Sequence, residues 1–177
     1  MRLVGLNGLT LCKFLDGRID HLFSDGIFPY RRNWAARHKD FVKKNIPGQE
    51  EYLLTGFSDG GTLAHEVAHD DPRCAGLMVH SSMFRPHKIE TVRDIPILLM
   101  RTLGDVTPTF DATYRAYDWY SDSDKITRLE PKDGPLTMGS TDPSFLGRWL
   151  RHEYANGLPF MAEFALKHFD FVLPIAE

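Results

Sequence analysis

Short apolar runs that alternate with helix-like stretches set the strongest limit on how this chain can fold. Several runs are apolar almost throughout, as expected for strands that are covered on both faces of a parallel sheet. Strands alternating with helices predict an α/β fold, and we expect a three-layer sandwich with a mainly parallel sheet of about six strands. The predicted strands are residues 3–6, 19–23, 52–54, 76–79, 95–100 and 126–129.

The covering helices are predicted from apolar residues at helical spacing. A proline in the first turn behind a capping side chain, at residues 141–143, predicts one further helix start. The predicted helices are a segment around residues 34–42, residues 61–69, residues 110–120, a helix that starts at 141–143 and a last one from about 160 to 169. No repeat or linker composition interrupts this pattern, so residues 1–177 are interpreted as one domain.

Composition narrows the possible partners. With 21 basic and 24 acidic side chains the net charge is −3, which gives the chain no general attraction to nucleic acid. Its apolar runs are too short to span a membrane, and we find no export signal. Two cysteines, Cys12 and Cys74, are too few for a disulfide framework. We therefore expect a cytoplasmic protein without a membrane span.

Residues 56–60 form the motif G-x-S-x-G between a predicted strand and a predicted helix. This is the setting of a nucleophile elbow, a tight turn that lifts a serine hydroxyl above the sheet. A turn this tight leaves no room for a side chain on either side of the serine, which explains the glycines Gly56 and Gly60. Ser58 is then the candidate nucleophile, and the amide of Asp59 is a candidate oxyanion donor. A glycine-rich turn with an incidental serine is the alternative.

Two downstream segments extend this pattern. Residues 75–82 and 95–108 resemble consecutive strands of the α/β-hydrolase family, the second ending in a Gly-Asp pair. The resemblance implies that Asp105 is the acid of a catalytic triad and that the backbone amide of Leu9, behind Asn7-Gly8, is the second oxyanion donor. It also implies a compact member of the family, because the chain opens at the strand that precedes this loop. Asp105 could instead be an ordinary turn residue.

The triad histidine is the weak point of the resemblance. It is expected in the loop after the last strand, at residues 131–139, where Pro135 occupies the matching position. Without an imidazole a serine hydroxyl lacks its general base. His152 is our preferred candidate and His168 the alternative, although both also suit packed helix histidines. A third possibility is that no triad exists.

A competing motif, H-E-x-x-H, lies in the helix after the elbow. His65 and His69 would share one helix face and bind Zn²⁺, with Glu66 as the base that activates water. A glycine and a third histidine do not follow, and Glu90 is only one conceivable third ligand. The other interpretation is a solvated helix with these side chains on its outer face.

The sequence as a whole predicts a serine hydrolase that cleaves an ester or thioester of a small molecule. Its candidate residues are Ser58, Asp105 and His152, with oxyanion donors at Asp59 and Leu9. No metal or organic cofactor is required. The alternatives are a non-catalytic binding protein of the same fold, suggested by Pro135, and a zinc hydrolase based on His65 and His69.

Overall fold

The computed structural model describes residues 1–6, 21–23, 34–57, 59–80, 82, 88–100, 116, 119–120, 125–129 and 158–173. Within these residues the chain forms six strands and three helices. The strands are β1 (Arg2–Leu6), β2 (His21–Phe23), β3 (Tyr52–Phe57), β4 (Cys74–His80), β5 (Ile97–Met100) and β6 (Ile126–Leu129). The helices are α1 (Trp34–Asn45), α2 (Asp59–Asp70) and α3 (Leu158–Phe169).

All six strands belong to one sheet, in the order β2-β1-β3-β4-β5-β6. Every neighbouring pair is parallel. The α/β class and the parallel sheet predicted from the sequence are therefore present. The strand order reverses direction between β1 and β3, and in open sheets of this kind ligands bind beyond the carboxyl ends of the strands at such a reversal.

Successive strand residues pack on opposite faces of the sheet, which explains why the strand sequences are apolar almost throughout. Leu54 and Leu77 belong to a core that contains side chains of α1 and α2. Leu53, Met78 and Leu98 belong to a second core, which contains side chains of α3. Both cores consist of buried aliphatic and aromatic side chains, so burial of apolar area on each face stabilises the sheet.

Several bounds differ from those expected. Strand β3 continues to Phe57 and β4 begins at Cys74 and ends at His80. Strand β5 begins at Ile97 because Pro96 before it has no N–H for the ladder, although its carbonyl accepts a hydrogen bond from Leu77 N at 3.0 Å. The helix predicted from residue 141 lies outside the described residues. None of the helices in the described part of the chain is both long and apolar enough to cross a lipid bilayer.

Candidate active site at the carboxyl edge of the sheet

The carboxyl edge is the side of the sheet where the strands end, and the amino edge is the side where they begin. At the carboxyl edge Phe57, His80 and Met100 lie in one register across three neighbouring strands. Tyr52 and Cys74 lie at the amino edge. The G-x-S-x-G motif begins at the carboxyl edge, beside the reversal of strand order between β1 and β3.

The backbone at Gly56 touches the first turn of α2. A Cβ placed on Gly56 would lie 2.6 Å from the carbonyl oxygen of Gly60 and 2.6 Å from the Cα of Gly61. No real Cβ has such neighbours, and backbone atoms cannot rotate away. Strand β3 ends at Phe57 and α2 begins at Asp59. The close approach predicted for Gly56 is thus present where strand passes into helix.

A second glycine is restricted for a reason that sequence analysis missed. A Cβ on Gly61 would lie 2.5 Å from the Cβ of Ser82, just beyond the end of β4. Ser82 itself is 3% exposed. Helix α2 therefore rests against both β3 and the continuation of β4 at this edge, and a side chain at either glycine would push the helix away.

Most of the predicted site residues, namely Ser58, Asp105, His152 and Leu9, lie outside the described residues. Asp59 is the first residue of α2. Its amide belongs to the first helical turn, whose N–H groups have no partner within a helix. These groups also carry the positive end of the helix dipole, an arrangement suited to an oxyanion.

His168, the alternative triad histidine, lies toward the amino edge of the sheet, away from the G-x-S-x-G motif. It is near the end of α3, with its ring 4.7 Å from the Phe164 ring centroid. The next residue, Phe169, packs so closely on Gly76 that a Cβ there would collide with its ring. Gly76 precedes His80 by four positions in β4, about 13 Å at the rise of a strand. Burial, with a contribution from Lys167, lowers the pKa of His168.

The H-E-x-x-H side chains are buried, so the expectation of a solvated outer face is wrong. His65, Glu66 and His69 are 0%, 9% and 6% exposed. Helix α2 packs its polar motif inward because Tyr120 supplies a hydroxyl there. His65 Nδ1 lies 3.0 Å and His69 Nε2 lies 2.6 Å from that oxygen. Two histidines one turn apart thus share one tyrosine.

The remaining ring nitrogens also have partners. Arg93 N donates to His69 Nδ1 at 3.2 Å, and His65 Nε2 lies 3.4 Å from Ser82 Oγ. We call His65, His69, Tyr120 and Ser82 the His–Tyr network. All four imidazole nitrogens are thus engaged within the protein, and in the part of the chain described, no group of three or more His, Cys, Asp or Glu side chains could hold a metal ion.

The network is neutral at pH 7. Burial, followed by the charge of His69, lowers the pKa of His65 to about 3. Burial, followed by the charge of Arg93, lowers the pKa of His69 to about 4. Because Arg93 N–H donates to Nδ1 of His69, the proton of His69 is on Nε2 and is donated to Tyr120. Two protonation patterns satisfy His65, and they differ in which ring nitrogen carries the proton.

His80 is a residue that sequence reasoning passed over. It is the last residue of β4 and is 3% exposed. Its register partners are Phe57 on one side and Met100 on the other. The available signal was a histidine that closes an apolar strand directly ahead of two serines. It was missed because the family resemblance directs attention to histidines after Asp105.

A cavity of about 560 Å³ lies elsewhere, between α1 and the turn that follows α2. Four of the charged side chains that line it are engaged with one another or with the backbone. Lys39 Nζ lies 2.7 Å from Asp70, and Arg73 binds the Asp71 carboxylate and the carbonyl of Ile46. This cavity is near the amino edge and does not adjoin Gly56. Comparison of the chain with protein-family models and with curated proteins gives no match.

Proposed function

We propose that this protein is a serine hydrolase that cleaves an ester or thioester of a small molecule. The observation that supports the proposal most directly is the contact between Gly56 and the first turn of α2. A nucleophile elbow needs this crowding, because the serine between strand and helix must be raised above the sheet. In the same proposal the fold is a three-layer sandwich of the α/β-hydrolase type.

The position of the motif adds support. It lies at the carboxyl edge of a parallel sheet, beside the β1/β3 reversal of strand order, where open α/β sheets bind their ligands. The first turn of α2 begins one residue after Ser58. Its N–H groups would stabilise the negative charge that develops on a carbonyl oxygen during attack.

The proposed reaction uses the groups named from the sequence. Ser58 attacks the carbonyl carbon, an imidazole takes the hydroxyl proton, and Asp105 orients that imidazole. Backbone amides of Asp59 and Leu9 hold the oxyanion. The imidazole expected from chain order is His152. The chemistry requires no cofactor, and we assign the enzyme to the cytoplasm, where the buried thiol of Cys74 stays reduced.

A fluorophosphonate probe tests the proposal. We expect stoichiometric phosphonylation of the wild-type protein, mapped by peptide mass spectrometry to Ser58, and none in Ser58→Ala. The matched control is Ser82→Ala, since Ser82 is also beside the turn and lies 3.4 Å from an imidazole nitrogen. Label that survives Ser58→Ala but disappears in Ser82→Ala would transfer the nucleophile to Ser82 and overturn the proposal.

The alternative function is a non-catalytic binding protein of the same fold, which Pro135 suggests because it occupies the expected place of the triad histidine. A wild-type protein that is folded but is not labelled, and that turns over no aryl or thioester substrate, would favour this alternative. The zinc hydrolase is less well supported, since the imidazole nitrogens of His65 and His69 are engaged with Tyr120, Ser82 and Arg93.

A further inference from the structure

We propose that His80 is the general base for Ser58, in place of a histidine after the last strand. This inference rests on the proposed function and names the imidazole that it lacks. His80 ends β4 at the carboxyl edge and is 3% exposed.

The sheet register places His80 beside the strand end that leads into Ser58. Phe57, which precedes Ser58, is paired with His80, and His80 is paired with Met100 on its other side. Five positions after Met100 in the sequence is Asp105. Neighbouring strands are about 4.8 Å apart. His80 is therefore the register partner of the residue directly before Ser58, and on its other side it is paired with the last residue of β5, the strand that precedes Asp105 in the sequence.

His80 lies on the face of the sheet opposite α2. Its register partner Met100 belongs to the core on the α3 face of the sheet, as does Met78, two residues earlier in β4. Helix α2 packs on the opposite face, with Val79. Because α2 packs on that opposite face, it does not separate the His80 imidazole from the end of β3.

The other described histidines are placed less suitably. His65 and His69 are neutral and are bound to Tyr120. A base with a pKa of about 3 accepts a proton poorly at pH 7. His168 lies toward the amino edge, His21 is the first residue of β2, and His38 lies within α1. Among the histidines of the described ranges, His80 stands at the carboxyl end of a strand.

Ser58 Oγ forms a bond to the substrate carbonyl carbon while its proton passes to the imidazole of His80. The resulting imidazolium then protonates the departing alkoxide or thiolate as the C–O or C–S bond breaks. Water attacks the acyl-serine, again giving a proton to His80, and that proton returns to Ser58 as the carboxylic acid leaves.

The test is the second-order rate constant of fluorophosphonate labelling at Ser58, measured at pH 7.5 for wild type, His80→Gln and His152→Gln, with His168→Gln as the control. We expect His80→Gln to label at least about 100-fold more slowly than wild type, the usual effect of losing a general base, and more slowly than His152→Gln, whereas the control His168→Gln should label at the wild-type rate. Free imidazole should partly restore the rate in His80→Ala, which a purely structural defect would not permit.

A wild-type measurement covers the case in which the His80 variants fold poorly. Diethylpyrocarbonate should abolish labelling of the wild-type protein in step with carbethoxylation of His80, and hydroxylamine should reverse both. Labelling at the wild-type rate in folded His80→Gln, or inactivation that follows another histidine such as His152, would refute the role of His80 and leave the serine hydrolase intact. Absence of any wild-type labelling would remove both proposals.

Discussion

The two edges of the sheet differ in the kind of contact that they make. At the amino edge polar groups are tied together by arginines, whereas at the carboxyl edge glycines let backbones come into contact and a histidine and a serine are buried. Helix α2 runs between the two edges, with Gly60 and Gly61 in its first turn and Asp70 at its end. The difference indicates that polar contacts hold the fold together at the amino edge, and the carboxyl edge is where we propose the site.

Arg93 shows how the amino edge is held. Its guanidinium donates to the carbonyls of Ala68, Asp71, Cys74 and Pro72 at 2.6–2.9 Å. These carbonyls include the carboxyl end of α2, where a helix leaves acceptors without partners and where positive charge is favourable. One side chain thus joins the end of α2 to the start of β4.

Arg73 makes a second junction at the same edge. It forms a bidentate pair with Asp71 at 3.0 and 2.7 Å, and Tyr52 Oη donates to the same carboxylate at 3.1 Å. Burial by itself would raise the pKa of Asp71, but the hydrogen bonds from Arg73 and Tyr52 outweigh it and lower that pKa. The charged groups here have well-defined partners, which is what structural roles require.

The largest expected effect is at the carboxyl edge. Gly56→Ala puts a methyl group 2.6 Å from two backbone atoms of α2, so the helix must shift. We expect a loss of more than about 3 kcal/mol in the free energy of unfolding, together with loss of fluorophosphonate labelling. Urea denaturation and labelling of the same preparations measure both.

Gly48→Ala is the matched control. Gly48 has a φ of 59° and open space around it, so alanine there costs only about 1–2 kcal/mol of backbone strain and labelling should persist. If Gly56→Ala were as stable and as reactive as wild type, strand and helix would not be in contact at the turn.

A somewhat smaller effect is expected at the amino edge. Arg93→Ala removes a donor from four carbonyls, of which that of Asp71 still accepts from Cys74 N, and we expect it to lower the free energy of unfolding by roughly 3 kcal/mol. Well below the melting temperature of Arg93→Ala, its Ser58 should still be labelled at the wild-type rate. The contacts of Arg93 are at the amino edge, whereas Gly56 lies at the carboxyl edge. Arg93→Lys keeps one donor group, so its free energy of unfolding should lie between those of the wild type and Arg93→Ala. If Arg93→Ala were stable but were not labelled, the contacts at the amino edge would affect reactivity at the carboxyl edge.

The fold was predictable because it depends on patterns within short windows. All six strands were anticipated near their observed positions, because strands that are covered on both faces of the sheet must be apolar at successive residues, such as Leu53 and Leu54. The crowding at Gly56 was anticipated because a tight strand-to-helix turn has a local signature. The register between strands has no such local signature, so the residues paired with His80 could not be derived from the sequence.

The H-E-x-x-H motif shows the same limit. Its spacing places His65 and His69 on one helix face, and this is correct. Which way that face points depends on Tyr120, more than fifty positions away, which no window around the motif includes. The Tyr120 hydroxyl gives both neutral imidazoles a hydrogen-bond partner, so they can be buried without a large free-energy cost, and this face of the helix points inward.

The last prediction concerns the His–Tyr network, which runs along α2 from the amino edge toward the carboxyl edge. The pKa values of His65 and His69 are about 3 and about 4 in the folded chain and near 6.5 when unfolded. Below pH 6.5 the unfolded chain therefore binds more protons, and stability falls as the pH decreases. Each histidine contributes up to about 1.4 kcal/mol per pH unit between pH 6.5 and its folded pKa.

Urea denaturation at pH 7.5, 6.0 and 5.0 measures this slope, and the range stays above the window in which the depressed pKa of Asp71 acts. The double variant His65→Gln/His69→Gln should be less stable at pH 7.5 but should lose most of the slope. An unchanged slope would place the titrating groups elsewhere. The pH profile of labelling should remain distinct from that of stability, because a group with a pKa near 3 cannot control a rate near neutral pH.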